Sequence, residues 1–166
     1  IGLPPLAPPP NPLPVGEGIF RYTSHITILP ILTGKDRPIL RRKTQEVAHV
    51  TKDTLKLLRD MKEAMDAAEG VGLAAPQIGQ SLRVCLAVLH GKTTAFINPY
   101  IIWRSTEEEI AEEGCLSLPN TWVPVPRAVE ITVQFRNKKG KEEERKLEGL
   151  PARILQHEID HLEGIL

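Results

Sequence analysis

Two histidines near the end of the chain are spaced so that they can bind one metal ion. They lie four residues apart in the run His157-Glu158-Ile159-Asp160-His161. On an α-helix this spacing puts both imidazole rings on one face, one turn apart. Glu158 can then reach a water molecule on that ion. The alternative is that both histidines lie half-buried on an amphipathic helix and hydrogen-bond to backbone groups.

A catalytic metal site of this kind needs a third protein ligand and an open coordination position. Cys115 is a candidate, because it lies in the run EEGCLSLP (112–119), between two acids and a glycine on one side and a proline on the other. This composition predicts irregular backbone and is unusual around a cysteine that only packs in a core. Cys85 lies in an apolar run and is interpreted as a core residue. The remaining histidines are interpreted as ordinary surface or core residues: His25, His49 and His90.

The periodicity of apolar residues predicts the elements that must position these groups. Apolar residues recur at three- and four-residue steps over 51–68, which predicts a helix with Thr51 or Asp53 as its cap and Gly70 at its end. A second helix is predicted over 150–163, around the two histidines. Strands are predicted over 25–32 (broken by a proline), 83–89, 94–102, 129–136 and 141–147.

This order of elements predicts the fold class. Strands lie in the middle of the chain and helices near both ends, which indicates an α+β fold with mostly antiparallel sheets. We expect the sheets to pack around the C-terminal metal-binding helix, with an N-terminal helix in addition. Seven of the first 14 residues are proline, so residues 1–20 are predicted to be an extended tail or linker. Residues 21–166 are then expected to form a single catalytic domain.

Composition excludes several classes of protein. The chain has 166 residues, and its 21 Lys+Arg balance its 21 Asp+Glu, which argues against nucleic acid or an anionic membrane as the main partner. No apolar stretch is long enough to span a bilayer. Two cysteines exclude a disulfide-dense secreted scaffold and suit a reducing compartment, so we expect a cytoplasmic or organellar protein that is not secreted.

Three segments together resemble the signature motifs of peptide deformylase. They are GVGLAAPQIG (70–79), EGCLSLP (113–119) and QHEIDHLEG (156–164), and their order and separations also match that family. The resemblance runs from about residue 28 to residue 166. The run ARIL (152–155) is similar to the type 1 branch of the family that includes organellar enzymes.

The resemblance implies a hydrolase that removes the N-formyl group from the initiator methionine of newly made polypeptides and releases formate. It implies that Cys115, His157 and His161 hold one divalent metal per chain. The family's metal in the cell is typically Fe²⁺, and Zn²⁺, Ni²⁺ or Co²⁺ can occupy the site in isolated protein, since these ligands suit several ions. Glu158 would accept the proton of the attacking water and deliver it to the leaving amine.

The resemblance also implies how an N-formylmethionyl peptide is bound. The side-chain amide of Gln77 and the backbone N–H of Leu116 would donate to the oxygen that gains charge. The peptide would lie extended beside Gly72 and Gly114, like an added strand. Besides the ring of His157, the pocket for the methionine would be lined by Val71, Leu150 and Ile154.

The chain departs from the family at two places. Trp122 occupies the position where bacterial relatives often carry an arginine near the substrate. We therefore expect the residues that follow the methionine of the peptide to be recognised differently. The ribosome is a candidate partner, although the chain stops at Leu166, where relatives continue into a segment linked to ribosome docking. Arg127 follows the family and is expected to pair with Glu113.

The rival functions are another HExxH metallohydrolase, such as a zinc peptidase, and a non-enzymatic binding module on the same fold.

Overall fold

The structure, a computed structural model, describes residues 28–166. The segment predicted as a tail, residues 1–20, lies outside the described residues. The α-helices are α1 (Lys52–Ala67) and α2 (Leu150–Leu162). The strands are β1 (Gly72–Ala74), β2 (Val84–Leu89), β3 (Lys92–Arg104), β4 (Glu108–Cys115), β5 (Leu118–Ala128), β6 (Glu130–Arg136) and β7 (Glu142–Glu148). Short 3₁₀ helices span Pro38–Arg41 and Ala75–Ile78. The predicted α+β class with antiparallel sheets is confirmed.

Helix α1 begins with a reciprocal cap. The hydroxyl of Thr51 accepts a hydrogen bond from the backbone N–H of Thr54, and the hydroxyl of Thr54 accepts one from the N–H of Thr51. Each contact satisfies a backbone donor that the first turn of a helix leaves without a partner. At the other end Glu69, not Gly70, adopts the left-handed conformation (φ 52°), and the N–H of Gly70 donates to the carbonyl of Met65.

Five strands form one antiparallel sheet in the order β1-β2-β3-β6-β7. Strand β2 is buried on both faces: Cys85 and Ala87 belong to the cluster that includes residues of α2, and Val84 and Leu86 belong to the cluster that includes residues of α1. The two helices therefore cover opposite faces of the sheet, which explains why β2 is apolar throughout. The interpretation of Cys85 as a core residue is confirmed.

The remaining strands, β4 and β5, form a separate two-stranded antiparallel hairpin. The prediction of irregular backbone around Cys115 is confirmed: the register of the hairpin shifts between Gly114 and Cys115, and β4 ends at Cys115 before a turn. The acids of β4 and the prolines of β5 are uncommon in strands. They are accommodated because β4 and β5 pair only with each other, which leaves each strand one unpaired edge.

The predicted strand over 25–32 is not formed in its described part. Residues 28–32 have no strand assignment, and residues 25–27 lie outside the described residues. Pro30 lacks the N–H that a ladder needs. The N–H of Leu32 donates instead to the carbonyl of Gln77 at 2.7 Å, so this segment is held against the site.

Helix α2 runs through the interior of the molecule. Nine of its residues are buried, including Arg153, Gln156 and Glu158. Pro151 lies in its first turn, where a missing N–H costs nothing. None of the helices in the described part of the chain has the length and apolar character needed to span a lipid bilayer.

Candidate metal centre

The structure brings together the three side chains predicted as metal ligands. His157 and His161 lie one turn apart on α2, and Cys115 ends β4, where the register of the hairpin shifts. Their donor atoms all lie within 4.8 Å of one another. The sulfur of Cys115 is 3.3 Å from Nε2 of His161, and the two Nε2 atoms are 3.1 Å apart. Within residues 28–166 this is the only such group of three.

The chemistry of this donor set fits a divalent transition metal. A cysteine sulfur and two imidazole nitrogens are ligands that iron, zinc, nickel and cobalt accept. Beside them lies the carboxylate of Glu158, whose Oε2 is buried without a hydrogen-bond partner in the described part of the chain. A buried polar atom without a partner is costly. Glu158 is therefore held next to the three donors in a position that suits chemistry more than stability.

Glu113 orients the first histidine. Its carboxylate accepts a hydrogen bond from Nδ1 of His157 at 2.9 Å, which turns Nε2 toward the cluster. Arg127 donates to both oxygens of Glu113, at 3.0 and 2.9 Å, as the sequence predicted. Arg153 donates to Oε1 at 2.8 Å and was not predicted. The sequence signal for this contact is that Arg153 lies one turn before His157 on α2.

The local charges favour a thiolate at Cys115. Burial alone would raise the pKa of the thiol, but hydrogen bonds with His157 and His161 lower the pKa to about 6. Burial alone would lower the pKa of His157, but hydrogen bonds to Cys115 and Glu113 raise it to about 10. Since the thiolate and the neutral imidazole are the forms that bind metals, a cation bound here would displace the proton of His157.

The pKa values of two further carboxylates are shifted in opposite directions at the site. Burial would raise the pKa of Glu113, but hydrogen bonds from His157 and the two arginines lower it to about 2, so this group is charged near neutral pH. Burial raises the pKa of Glu158 to about 6, although His157 and His161 act in the opposite direction. A carboxyl group with a pKa near 6 can both accept and return a proton near neutral pH.

Gln77 points its amide nitrogen into the site. Its Oε1 accepts a hydrogen bond from the N–H of Ala74 at 2.8 Å, and its Nε2 donates to the hydroxyl of Ser117 at 3.1 Å. The sulfur of Cys115 is 3.8 Å from the same nitrogen. The two contacts determine which end of the amide faces the cluster. Ser117 is fully buried and was not assigned a role from the sequence, although it lies two residues after Cys115.

A cavity of about 550 Å³ lies beside the cluster. It is lined by every residue predicted for the site except His161, which is buried. The lining includes the side chains predicted for the methionine pocket, namely Val71, Leu150 and Ile154, and also Leu116. Val71 and Leu150 are more than half exposed, so they lie at the mouth of the cavity.

The two glycines predicted to lie beside a peptide also have a packing role. A Cβ atom on Gly72 would lie 2.2 Å from Oε1 of Glu158, so this glycine makes room for the carboxylate. A Cβ atom on Gly114 would lie 3.1 Å from the indole of Trp122, which extends across it from the paired strand. Trp122 is exposed and forms part of the cavity wall.

The fold and the donor set define a class of protein: a metal-dependent hydrolase whose HExxH helix lies under an antiparallel sheet and is joined by a cysteine from a hairpin. Comparison with known proteins narrows the class. The family model described as polypeptide deformylase matches residues 28–166. A peptide deformylase of Pseudothermotoga lettingae is 49% identical over 129 residues, which cover 78% of this chain and 75% of that protein.

Solved structures give the same result. The peptide deformylase of Thermotoga maritima superimposes with a TM-score of 0.81 at 40% identity, covering 84% of this chain and 94% of that one. The class I type b enzyme of Acinetobacter baumannii, solved with Met-Ala-Ser bound, has a TM-score of 0.80 at 33% identity and covers 84% and 95% of the two chains. The chain belongs to the polypeptide deformylase family. It is a hydrolase that removes the N-formyl group from newly made polypeptides, and the rival functions are not favoured.

Proposed function

We propose that Cys115, His157 and His161 together hold one divalent cation, and that Glu158 is the acid–base group in hydrolysis of the formyl group. The observation that carries this proposal is the convergence of three donor atoms within 4.8 Å beside a buried carboxylate. Two of the ligands come from one helix and the third lies more than 40 residues earlier in the chain, so their meeting is a product of the fold.

The cation, when bound, lowers the pKa of a water molecule and polarises the formyl oxygen. We propose Fe²⁺ as the ion in the cell, with Zn²⁺, Ni²⁺ or Co²⁺ as substitutes in isolated protein. One thiolate and two imidazoles suit all four ions, which supports one shared site.

Glu158 accepts a proton from the attacking water and later delivers it to the leaving amine. Its raised pKa supports both halves of this exchange near neutral pH. Gly72 supports it sterically, because its missing Cβ leaves room for the carboxylate.

Gln77 and Leu116 stabilise the negative charge that develops on the formyl oxygen. Nε2 of Gln77 is aimed into the site by its contacts with Ala74 and Ser117. The backbone N–H of Leu116 belongs to the residue next to Cys115 and is the second donor. Donors that are oriented before the reaction need no rearrangement in the transition state.

The peptide begins with its methionine in the cavity, against Val71, Leu150 and Ile154. Its backbone extends past Gly72 and Gly114, where the absence of side chains permits a close approach. The Met-Ala-Ser peptide bound to the Acinetobacter baumannii relative supports a substrate of this kind.

The test is formate release from formyl-Met-Ala-Ser by protein loaded with Fe²⁺ or Co²⁺ without oxygen. We expect Glu158→Gln to lower kcat by at least about 100-fold, since positioned acid–base groups contribute on that order. Glu108→Gln is the matched control, because this exposed glutamate lies outside the cavity. Equal rates for parent and Glu158→Gln would contradict the assignment.

Metal content separates the proposal from a zinc peptidase with a different third ligand. Cys115→Ser should lose most of its metal, and Cys85→Ala, which changes the buried cysteine outside the cluster, should keep it. Retention of the metal by Cys115→Ser, together with cleavage of blocked peptides that lack a formyl group, would favour the peptidase.

A further inference from the structure

A fully buried arginine holds the residue that follows helix α2. The side chain of Arg83 is 1% exposed, and its Nη1 donates to Oε1 of Glu163 at 2.6 Å. Its Nε and Nη2 both donate to the carbonyl of Pro99, at 3.2 and 2.9 Å. A buried charge is tolerated only where its partners are well placed. The pair therefore resists displacement of Glu163.

Neighbouring residues hold the pair from two sides. The guanidinium carbon of Arg83 lies 4.0 Å from the centre of the Tyr100 ring, a cation–π contact. The hydroxyl of Tyr100 donates to Glu46 at 2.6 Å. On the solvent side, Nζ of Lys43 lies 2.9 Å from the second oxygen of Glu163. Strand β3 and the segment before α1 thus converge on the end of α2.

The turn that contains Glu163 orients the second histidine. Nδ1 of His161 donates to the carbonyl of Ile165 at 3.1 Å, which points Nε2 at the other two ligands. Between these residues Gly164 has a left-handed backbone (φ 79°), and a Cβ there would lie 2.7 Å from the backbone of Arg41. The path of this turn therefore decides where the Ile165 carbonyl is, and with it the orientation of His161.

We propose that Arg83 and Glu163 are positioning residues for His161, acting through the turn that presents the Ile165 carbonyl. The inference rests on the proposed function, in which His161 is a metal ligand. A histidine whose Nδ1–H is held by an acceptor keeps its Nε2 lone pair available for the ion. Nothing in the pair touches the cavity, so its effect on hydrolysis is indirect.

The test compares the full chain with its Glu163→Gln variant, which keeps the shape of the side chain and removes its charge. We expect the dissociation constant for Zn²⁺, measured by competition with a chelator, to rise about tenfold, the lower end of the range for residues behind a ligand. In nuclear magnetic resonance spectra of the Zn²⁺-loaded protein, the Nδ1–H signal of His161 should exchange faster with water. The signal of His157 should not change, because Glu113 holds it separately.

Three further variants make the result specific. Lys43→Gln removes only the exposed partner of Glu163 and should change the dissociation constant by less than about twofold. Tyr100→Leu removes the ring beside Arg83 from a partly exposed position and should repeat the His161 effect more weakly. Ile131→Val, a core substitution in the large sheet, is the control for the effect of general destabilisation on the dissociation constant and on the His161 signal.

An unchanged dissociation constant in Glu163→Gln would overturn the inference, and so would equal disturbance of His157 and His161. Failure of the parent protein to bind Zn²⁺ would contradict the proposed function instead. In that case the His161 signal of the ion-free protein still decides the inference, because the contact with Ile165 exists without a metal.

Discussion

The two histidines of the cluster are oriented by supports of different kinds. His157 donates to the carboxylate of Glu113, and His161 donates to the backbone carbonyl of Ile165. A carboxylate both orients a ring and makes its other nitrogen a stronger ligand, whereas a neutral carbonyl mainly orients it. The two proposed ligands are therefore supported differently: a charged carboxylate orients His157, and the course of the chain after α2 orients His161.

The supports also differ in where they come from. Glu113 and its partner Arg127 belong to the β4–β5 hairpin, so the orientation of His157 depends on that hairpin staying docked on α2. Ile165 lies just after α2, so the support of His161 is local, and Arg83, the residue before β2, holds that turn in place. The hairpin also carries Cys115. Loss of its docking would therefore disturb two ligands at once and leave the third in place.

The largest effect is expected from Glu113→Ala, which breaks the charged support. This change leaves Nδ1 of His157 without its acceptor and removes the buried carboxylate that Arg127 and Arg153 share, so that Arg127 keeps only Asp160. We expect metal affinity to fall about 100-fold and the free energy of unfolding of the metal-free protein to fall by about 3–5 kcal/mol. Metal competition and urea unfolding measure the two effects.

Glu113→Gln is the matched comparison for this prediction, because it keeps an acceptor oxygen and removes the charge. If charge is what distinguishes the two supports, the glutamine variant should lose metal affinity about tenfold, which lies between the parent and Glu113→Ala. Full affinity in Glu113→Gln would mean that the carboxylate only orients His157, as the Ile165 carbonyl orients His161.

Gly72→Ala tests a third support, the one beneath Glu158. The added Cβ would lie 2.2 Å from Oε1 of that carboxylate, so the proposed acid–base group must move while the three proposed ligands do not. A displacement of about 1 Å can cost on the order of 100-fold in rate, so we expect kcat to fall by about that factor. Metal affinity should stay within about threefold of the parent, since neither histidine is supported by β1. Equal loss of metal and rate would show that Glu158 and the ligands share one support.

Local spacing in the sequence predicted the helix around His157 and His161. The pairing of Arg127 with Glu113 and the residues that line the cavity were expected from the resemblance of three segments to peptide deformylase. Periodicity also predicted β2, β3, β6 and β7, because burial on one or both faces leaves a pattern in consecutive residues.

The remaining features depend on contacts that no local pattern encodes. Arg83 and Glu163 are 80 residues apart, and the predicted strand over 83–89 gives no sign that its first residue is buried in a pair with the end of α2. The β4–β5 hairpin was not predicted, because its glutamates and prolines obscure the alternation of apolar and polar residues that marks a strand. In both cases tertiary packing outweighed what the residue types favour by themselves.

The smallest effect is expected from Ser117→Ala, which separates the orientation of Gln77, the proposed oxyanion donor, from the orientation of the proposed ligands. Without the hydroxyl, Nε2 of Gln77 loses an acceptor at 3.1 Å, while Oε1 still accepts from Ala74. One hydrogen bond of this kind is worth about 1 kcal/mol, which corresponds to roughly a fivefold fall in kcat. KM for formyl-Met-Ala-Ser and the metal content should not change, since the contact acts only on charge that develops in the transition state. A rise in KM at constant kcat would show instead that Gln77 binds the ground state of the substrate.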